Sequence, residues 1–340
     1  MPMAYRFSVA PMLDYTDRHF RVLMRQVSRH CLLHTEMVVA RALAHQLIDD
    51  PSRTPADRQQ RLERLLGFDP EERPLSLQLG GEDPGELAAA ARLAADWGYD
   101  EVNLNVGCPS PKASEGRFGA CLMARPERVA ECVAAMVAAS GLPVTVKHRI
   151  GIDDRDGFPE LLLFVDTVAA AGAARFAVHA RKAWLKGLDP KDNRTIPPLR
   201  WDIVHRLKRE RPALVVELNG GVETLAACRS HLDQVDGVMV GRAAYQHPLR
   251  WAEIDSVIFE QGREVMPRPS TVVRGVIPHA ERWCAQGGRL WALGRHLVHL
   301  VEGVKGARGW RANLSRQAGL RDAGPEVLAH AALQLEERGL

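Results

Sequence analysis

No stretch of eighteen uncharged apolar residues occurs in this 340-residue chain, so a membrane-spanning helix is not expected. The first seven residues carry no apolar core of the secretory-signal kind. The six cysteines (31, 108, 121, 132, 228 and 284) form no CxxC pair, which argues against structural zinc. A reduced, cytoplasmic chain is the simplest account. The glycine pattern GxGxxG is also missing, which excludes the usual opening unit of a dinucleotide-binding sheet. Charge of either sign is scarcely in excess, at +3 overall.

What charge there is lies unevenly. Residues 181–211 hold ten Lys/Arg to four Asp/Glu, and residues 274–321 hold nine to two. Two basic segments in a nearly neutral chain point to a polyanionic partner, or to two solvated Arg-rich faces.

Short β-branched runs alternate with longer helical ones. The predicted strands are 7–12, 32–38, 75–79, 101–105, 144–147, 176–179, 214–219 and 237–240. Between them, Thr16 is expected to cap a helix with Phe20, Leu23, Met24 and Val27 on one face, and Asp83 and Pro84 to start another. Pro126 opens a third, and Thr224 caps a shorter one. Eight strands alternating with helices predict an α/β fold, a (β/α)8 TIM barrel. Strand signal stops near Ala252, Pro267 and Pro269 mark a linker, and a small C-terminal helical domain follows. In that domain Trp283, Leu290, Leu293, Leu297, Leu300 and Val301 recur at helical spacing. The expected domains are 1–252 and 270–340.

Barrels of this kind carry their chemistry at the C-terminal strand ends. Those ends are polar here: His34 and Glu36; Gln78; Asn103 and Asn105; Lys147, His148 and Arg149; His179 and Arg181. After strands seven and eight come Asn219, Gly220 and Gly221, then Gly241 and Arg242. Glycine turns at this point let backbone amides approach a phosphate, with Arg242 adding a charged fork. The plainer alternative is two turns that only close the barrel. Lys147 suits the electron-rich edge of a reduced flavin, or equally a Schiff base. His34, Glu36, His148 and His179 would be the ligands of a hydrolytic metal, but His148 should point away from Lys147, because strand side chains alternate. Cys108 follows strand four in a tight Gly107, Cys108, Pro109 turn at the catalytic face. Cys31, Cys132 and Cys228 read as packing residues, Cys121 as a buried one, and 112–118 reads as a lid over the mouth.

Together these segments carry a resemblance. The sequence resembles the tRNA-dihydrouridine synthases over nearly its full length, and closely their bacterial A-type branch. The matching segments are APMLDYTDRHFR (10–21), TEMV (35–38), LQLGG (77–81), NLNVGCPS (103–110), FGACLM (118–123), VKHRIGID (146–153), HARKAWLKGLDPKDNRTIPPL (179–199), NGG (219–221) and DGVMVGRAAY (236–245). The resemblance implies FMN held by Ala10, Pro11, Met12, Gln78, Lys147, His179, Asn219, Gly220, Gly221, Gly241 and Arg242, with NADPH as reductant. It implies hydride delivery to C6 of a D-loop uracil, at uridine 20 or 20a, and a proton from Cys108 to C5. An enolate-like anion of this kind is one that a thiol can discharge at neutral pH. The base must leave the RNA stack to be reached. By the same resemblance Asn105 meets the base, while Lys191, Arg194, Arg308 and Arg311 orient the tRNA. Lys305 and Ala312 depart from the family, which usually has proline and arginine there. The rival reading is a flavin-dependent dihydropyrimidine or dihydroorotate dehydrogenase acting on a free base. It leaves the two basic segments and the helical domain unused. A non-catalytic RNA-binding module is a third reading, and it leaves the polar barrel mouth unexplained.

Overall fold

The computed structural model describes residues 3–47, 54–262 and 266–340. Its centre is a barrel of parallel strands: β1 (Phe7–Val9), β2 (Leu33–His34), β3 (Val38–Val39), β4 (Leu75–Gly80), β5 (Glu101–Val106), β6 (Val144–Arg149), β7 (Arg175–His179), β8 (Val216–Asn219) and β9 (Gly237–Val240). They run in the order β1-β9-β8-β7-β6-β5-β4-β2, with β3 also on β4. Ser8 bridges Leu32, and the Val9 amide donates to the Leu32 carbonyl at 2.9 Å, which closes the wall. This bridge brings together the two strands, β1 and β2, that would otherwise be the edges of the sheet.

β2 and β3 share one barrel position, pairing with β4 at Leu33↔Leu75 and Val38↔Leu79. The continuous strand expected over 32–38 is therefore split. Thr35 causes the break: its hydroxyl accepts the Gln78 amide at 3.1 Å and donates to the Glu36 carbonyl at 2.7 Å, replacing ladder bonds with side-chain ones. The first strand also stops early, at Val9. The Met12 amide turns to the Thr16 hydroxyl at 2.9 Å, folding the chain over the barrel rim. Thr16 is thereby taken, and the helix cap falls to Asp17, whose carboxylate accepts the Phe20 amide ahead of the helix Arg18–Val27. The remaining starts are as expected: Asp83 caps Pro84–Asp96, Pro126 opens Pro126–Ser140, and Thr224 caps Leu225–Leu232.

Alternation along the strands sorts side chains into layers inside the barrel. At the bottom, Arg175 is buried between Glu101, at 2.7 Å and 2.9 Å, and Glu217, at 3.2 Å, with Ser8 donating to Glu217. Ala10, Ala177 and Met239 make a small apolar plug. Above it sit Lys147, His179 and Asn219. His148 takes the opposite side, packed on Phe164 and Phe176 at centroid distances of 5.0 Å and 5.8 Å. Cys31, Cys132 and Cys228 are buried packing residues. Cys121 is half-buried, with its thiol on the Phe118 carbonyl at 3.2 Å.

Beyond β9 the described residues form no strand. Five helices close the chain: Pro269–Gly275, Ile277–Ala285, Trp291–Leu297, Ala307–Ala318 and Glu326–Glu336. Pro269 begins the first of them rather than lying in a linker, since its fixed φ suits the first helical turn. Gly287, at φ +82°, ends the helix that contains Trp283, so the periodic run from Trp283 to Val301 is two helices. Trp310 anchors the bundle, fully buried with its indole N–H on the Ala331 carbonyl at 2.9 Å. The bundle meets the barrel through Asp17, which binds Arg295 at 2.6 Å and His296 at 3.0 Å. A second chain of contacts runs His19–His279–Asp69, at 2.8 Å and 2.6 Å. No described helix is long and apolar enough to cross a membrane.

Burial holds His19 down to about 3, and His34 and His148 to about 4. Each is neutral when folded and takes up a proton on unfolding below its ordinary value, so stability falls as pH drops from the unfolded pKa toward the folded one. Between pH 7 and pH 5, His148 alone should remove about 2 kcal/mol. We expect His148→Phe, which keeps the contact with Phe164 and Phe176, to flatten the loss of stability over that interval. Urea titrations at pH 7, 6 and 5 measure it, and an unchanged slope refutes it.

Candidate active site

The barrel mouth is organised by a ladder of side-chain amides. Asn103 on β5 donates to the Thr145 hydroxyl at 2.9 Å and accepts from Gln78 at 2.7 Å. Gln78 in turn accepts from Asn105 at 2.9 Å. The Asn105 carbonyl oxygen then accepts the amides of Gly107 and Cys108, at 3.1 Å and 3.0 Å. A thread of hydrogen bonds thus leads from the barrel interior to the backbone that carries the Cys108 thiol. Sequence spacing explains the alignment: 103 and 105 are two apart on one strand, and Gln78 is the register partner of Asn103.

Cys108 is half-buried, and its thiol lies 3.3 Å from the Ser110 hydroxyl. Its carbonyl accepts the Ala120 amide at 2.8 Å. The space behind it is filled by Gly119, at φ +78°, where a Cβ would stand 2.4 Å from that carbonyl oxygen. Only glycine permits both the turn and the approach. Residues Pro111–Glu115, part of the expected lid, form a short helix beside it.

Lys147 faces Asn105 across the β5–β6 register. Its ammonium has no hydrogen-bond or ion-pair partner among the described residues. Burial lowers it to about 8, and Arg149 pushes it the same way. His179 lies one strand further round. Its Nδ1 is buried without a partner, and desolvation with the charges of Arg149, Lys147, Arg181 and Arg242 keeps the ring neutral, well below its ordinary pKa. Gly220 passes beneath it: a Cβ there, at φ +106°, would meet His179 Nε2 at 3.2 Å. Asn219 is fixed by its bond to the Met239 carbonyl at 2.8 Å. Gly241 completes the ring, with Met12 and Ala10 at 3.6 Å and 3.8 Å from its would-be Cβ. Ala10 itself donates to the Val240 carbonyl at 2.9 Å, and Pro11 lies between Ala10 and Met12 on that rim. Arg242 opens the helix Arg242–Gln246.

The mouth therefore brings together Ala10, Pro11, Met12, Gln78, Asn105, Cys108, Lys147, His179, Asn219, Gly220, Gly221, Gly241 and Arg242. Lys191 and Arg194 sit outside this ring, exposed, Arg194 in the turn Asp192–Arg194 after β7 and Lys191 just before it. Arg308 is exposed on Ala307–Ala318, while Arg311 is half-buried and spends one donor on the Val301 carbonyl at 3.0 Å. Among the described residues no three His, Cys, Asp or Glu side chains converge on a metal position. His34 is turned instead to the Val9 carbonyl at 3.0 Å and toward Glu101.

Three residues to which the sequence reading gave no role belong to the site. Asn103 carries the ladder. Arg149, buried, donates to the carbonyls of Gly107, Lys182 and Asn193. Asn193, fully buried, accepts the Trp184 amide at 2.7 Å and donates to the Trp184 carbonyl at 3.0 Å. Period-two spacing from Asn105 and Lys147 was the available signal for the first two.

The sequence profile of the dihydrouridine synthase (Dus) family matches residues 8–336. A protein of Synechocystis sp. named tRNA-dihydrouridine(20/20a) synthase is 51% identical over 330 residues, covering 97% of this chain and 94% of that one. A protein of the same name from Escherichia coli is 48% identical over 329 residues, covering 96% and 95%. Among solved structures, an old yellow enzyme homologue from Zymomonas mobilis aligns with a TM-score of 0.51 at 13% identity, over 78% of this chain and 92% of that one. At that identity the likeness is one of barrel fold.

Gly119→Ala should shift the Cys108 loop, and Gly98→Ala is its control. Gly98 has φ +83° with open space around its would-be Cβ, so it carries the backbone cost, roughly 1–2 kcal/mol, without the clash. We expect peptide-mapped alkylation of Cys108 to change in the first variant alone. Equal rates in both would detach the loop from Gly119.

Proposed function

Because the chain belongs to the dihydrouridine synthase family, we propose that it reduces uridine 20 and 20a in the D-loop of tRNA to 5,6-dihydrouridine, in the cytoplasm, using FMN and NADPH. The observation that carries this reading is the half-buried Cys108, fixed by the amide ladder at a barrel mouth whose Lys147 and His179 are left without partners.

The residues fit the cofactor. An orphaned, buried Nδ1 on His179 and an unpartnered Lys147 ammonium are costly unless a polar ligand meets them. Lys147 and His179 would hold the polar edge of the flavin ring, with Gln78 and Asn219 beside them. Ala10, Pro11 and Met12 would pack against the ring. Gly220, Gly221, Gly241 and Arg242 would hold the phosphate, where this fold commonly places one. When bound, FMN supplies the hydride that adds to C6 of the uracil, replenished from NADPH.

The chain's own groups do the rest. Asn105 already spends its side-chain oxygen on the Cys108 turn, so its remaining N–H is what it has for the base edge. Lys147, Arg149 and Arg181 surround the mouth with positive charge, which stabilises the negative charge that appears on the uracil carbonyl as C6 is attacked. Cys108 donates its proton to C5, with Ser110 beside the sulfur. Residues 1–252 form the catalytic barrel and 270–340 the tRNA-binding domain, with Lys191, Arg194, Arg308 and Arg311 on phosphates.

Cys108→Ala is expected to retain flavin and NADPH oxidation while product formation in unmodified tRNA falls at least about 100-fold. Normal dihydrouridine yield would remove Cys108 from the reaction, and comparable turnover of free uracil or orotate would replace tRNA as substrate. Arg308→Ala and Arg311→Ala should each weaken tRNA binding and lower the slope of log Kd against log salt by about one. A slope equal to wild type would make either arginine ordinary surface charge.

A further inference from the structure

Arg149 sits at the end of β6 with its guanidinium buried, yet it faces no carboxylate. Its donors go to three backbone carbonyls on three separate segments. Nε bonds Gly107 at 2.9 Å, directly before Cys108. Nη1 bonds Lys182 at 3.0 Å, just past β7, and Asn193 at 2.9 Å, in the turn that bears Lys191 and Arg194. A buried cation without a counter-ion is expensive, and burial accordingly pulls Arg149 down to about 10. Packing alone would be served better by an apolar side chain, so the geometry calls for a role in which three carbonyls must move together.

We propose that Arg149 is a positioning residue that ties the Cys108 turn to the Asp192–Arg194 turn, so that tRNA engagement by Lys191 and Arg194 sets the placement of the thiol. This rests on the reading of those two residues as tRNA contacts. Asn193 makes the tie stiff. Its side chain bonds both the amide and the carbonyl of Trp184, and the carbonyls of Leu188 and Asp189 at 3.2 Å each, so the turn moves as one body. On the other side, Asn105 and Ala120 hold the Cys108 backbone from the remaining directions. Arg149 is the link that spans the two bodies.

The rest of the 183–185 loop does not depend on it. Ala183 donates to the Gly151 carbonyl at 3.0 Å, Asp153 donates to the Ala183 carbonyl at 2.8 Å, and Leu185 donates to the Asp153 carboxylate at 2.8 Å. Shortening Arg149 therefore removes the tie while leaving the loop its own anchors. Lysine keeps the charge but has one compact head in place of a planar fork, and so does not reproduce the spread of Nε and Nη1 over three separate segments.

The test uses flavin-loaded enzyme reduced with NADPH and mixed with saturating unmodified tRNA, the reoxidation being followed by flavin absorbance. We expect Arg149→Lys to slow this single turnover about 100-fold, the scale of a displacement near 1 Å, while tRNA Kd moves less than about threefold. Arg194→Ala, an exposed change that leaves folding alone, should also slow the turnover at saturating tRNA rather than weaken binding only. The double variant should be no slower than Arg149→Lys alone, because the two act through one link. Rate losses that multiply, or an Arg194→Ala effect confined to Kd, overturn the proposal. Should Arg149→Lys lose its flavin, Arg149→Gln and the Arg194→Ala result decide the matter. Wild-type enzyme that tRNA fails to reoxidise would instead sink the functional reading, which keeps the two failures apart.

Discussion

Everything at the mouth depends on how the barrel satisfies polar side chains in its own interior. A closed parallel barrel normally fills that space with branched apolar residues. This one places Glu101, Arg175, Glu217 and Ser8 at the bottom and four amide or hydroxyl side chains above. Breaking one member would leave the others buried and unpaired, so the network is rigid as a unit. Its direction matters. The ladder from Thr145 through Asn103, Gln78 and Asn105 ends on the amide of Cys108, and so the thiol inherits the rigidity of the barrel although it sits on a loop.

The helical bundle joins the same frame through the first barrel loop. Asp17 caps the helix Arg18–Val27 and also receives Arg295 and His296; against the cost of burial, the His296 hydrogen bond and the Phe20 cap bond hold its carboxyl far below the usual range. Arg295 reaches the Asp14 carbonyl at 2.8 Å as well. Asp14 lies two residues past Met12, on the rim proposed to hold the cofactor. The elements proposed to receive RNA and those proposed to receive the cofactor are thus pinned on one short segment, residues 10–17. Tyr15, packed at a tilt on Tyr245 with centroids 4.4 Å apart, and Tyr245, packed on His299 at 4.7 Å, extend the same seam toward Arg311.

How much of this was legible beforehand follows from which interactions are local. Capping by Asp83 and Thr224 and the strand Gly237–Val240 depend on neighbours within a few residues, and they read correctly. The split of the second strand depends on the Thr35 hydroxyl meeting an amide 43 positions away, and composition carries no trace of it. Thr16 and Asp17 are equally good caps in isolation. The choice was made by Met12, which claimed the threonine. Arg149 was visible as a polar strand end, but its three partners come from segments that only the register of β5, β6 and β7 brings together. The seventeen candidate positions were named from strand ends and from family resemblance. Thirteen of them gather at the mouth, and the remaining four lie on the turn after β7 and in the helical bundle.

Charge at the mouth has one sign, and that constrains the chemistry more than any single residue does. Burial, with Arg149, Lys147, Arg181 and Arg242 all pressing on it, keeps His179 neutral. A neutral imidazole with a free buried nitrogen is a hydrogen-bonding group, not a counter-ion, so it discriminates by geometry while the cations attract by charge. The same field favours phosphate, reduced flavin and an enolate-like uracil, three anions that a single reaction would bring to this place in turn. The carboxylates that balance the chain are kept away from it: Glu101 and Glu217 are tied to Arg175 at the barrel floor, and Glu36 is turned to the Asp14 amide on the rim. The Cys108 thiol proposed as the proton donor stands among these cations, on the backbone that ends the amide ladder.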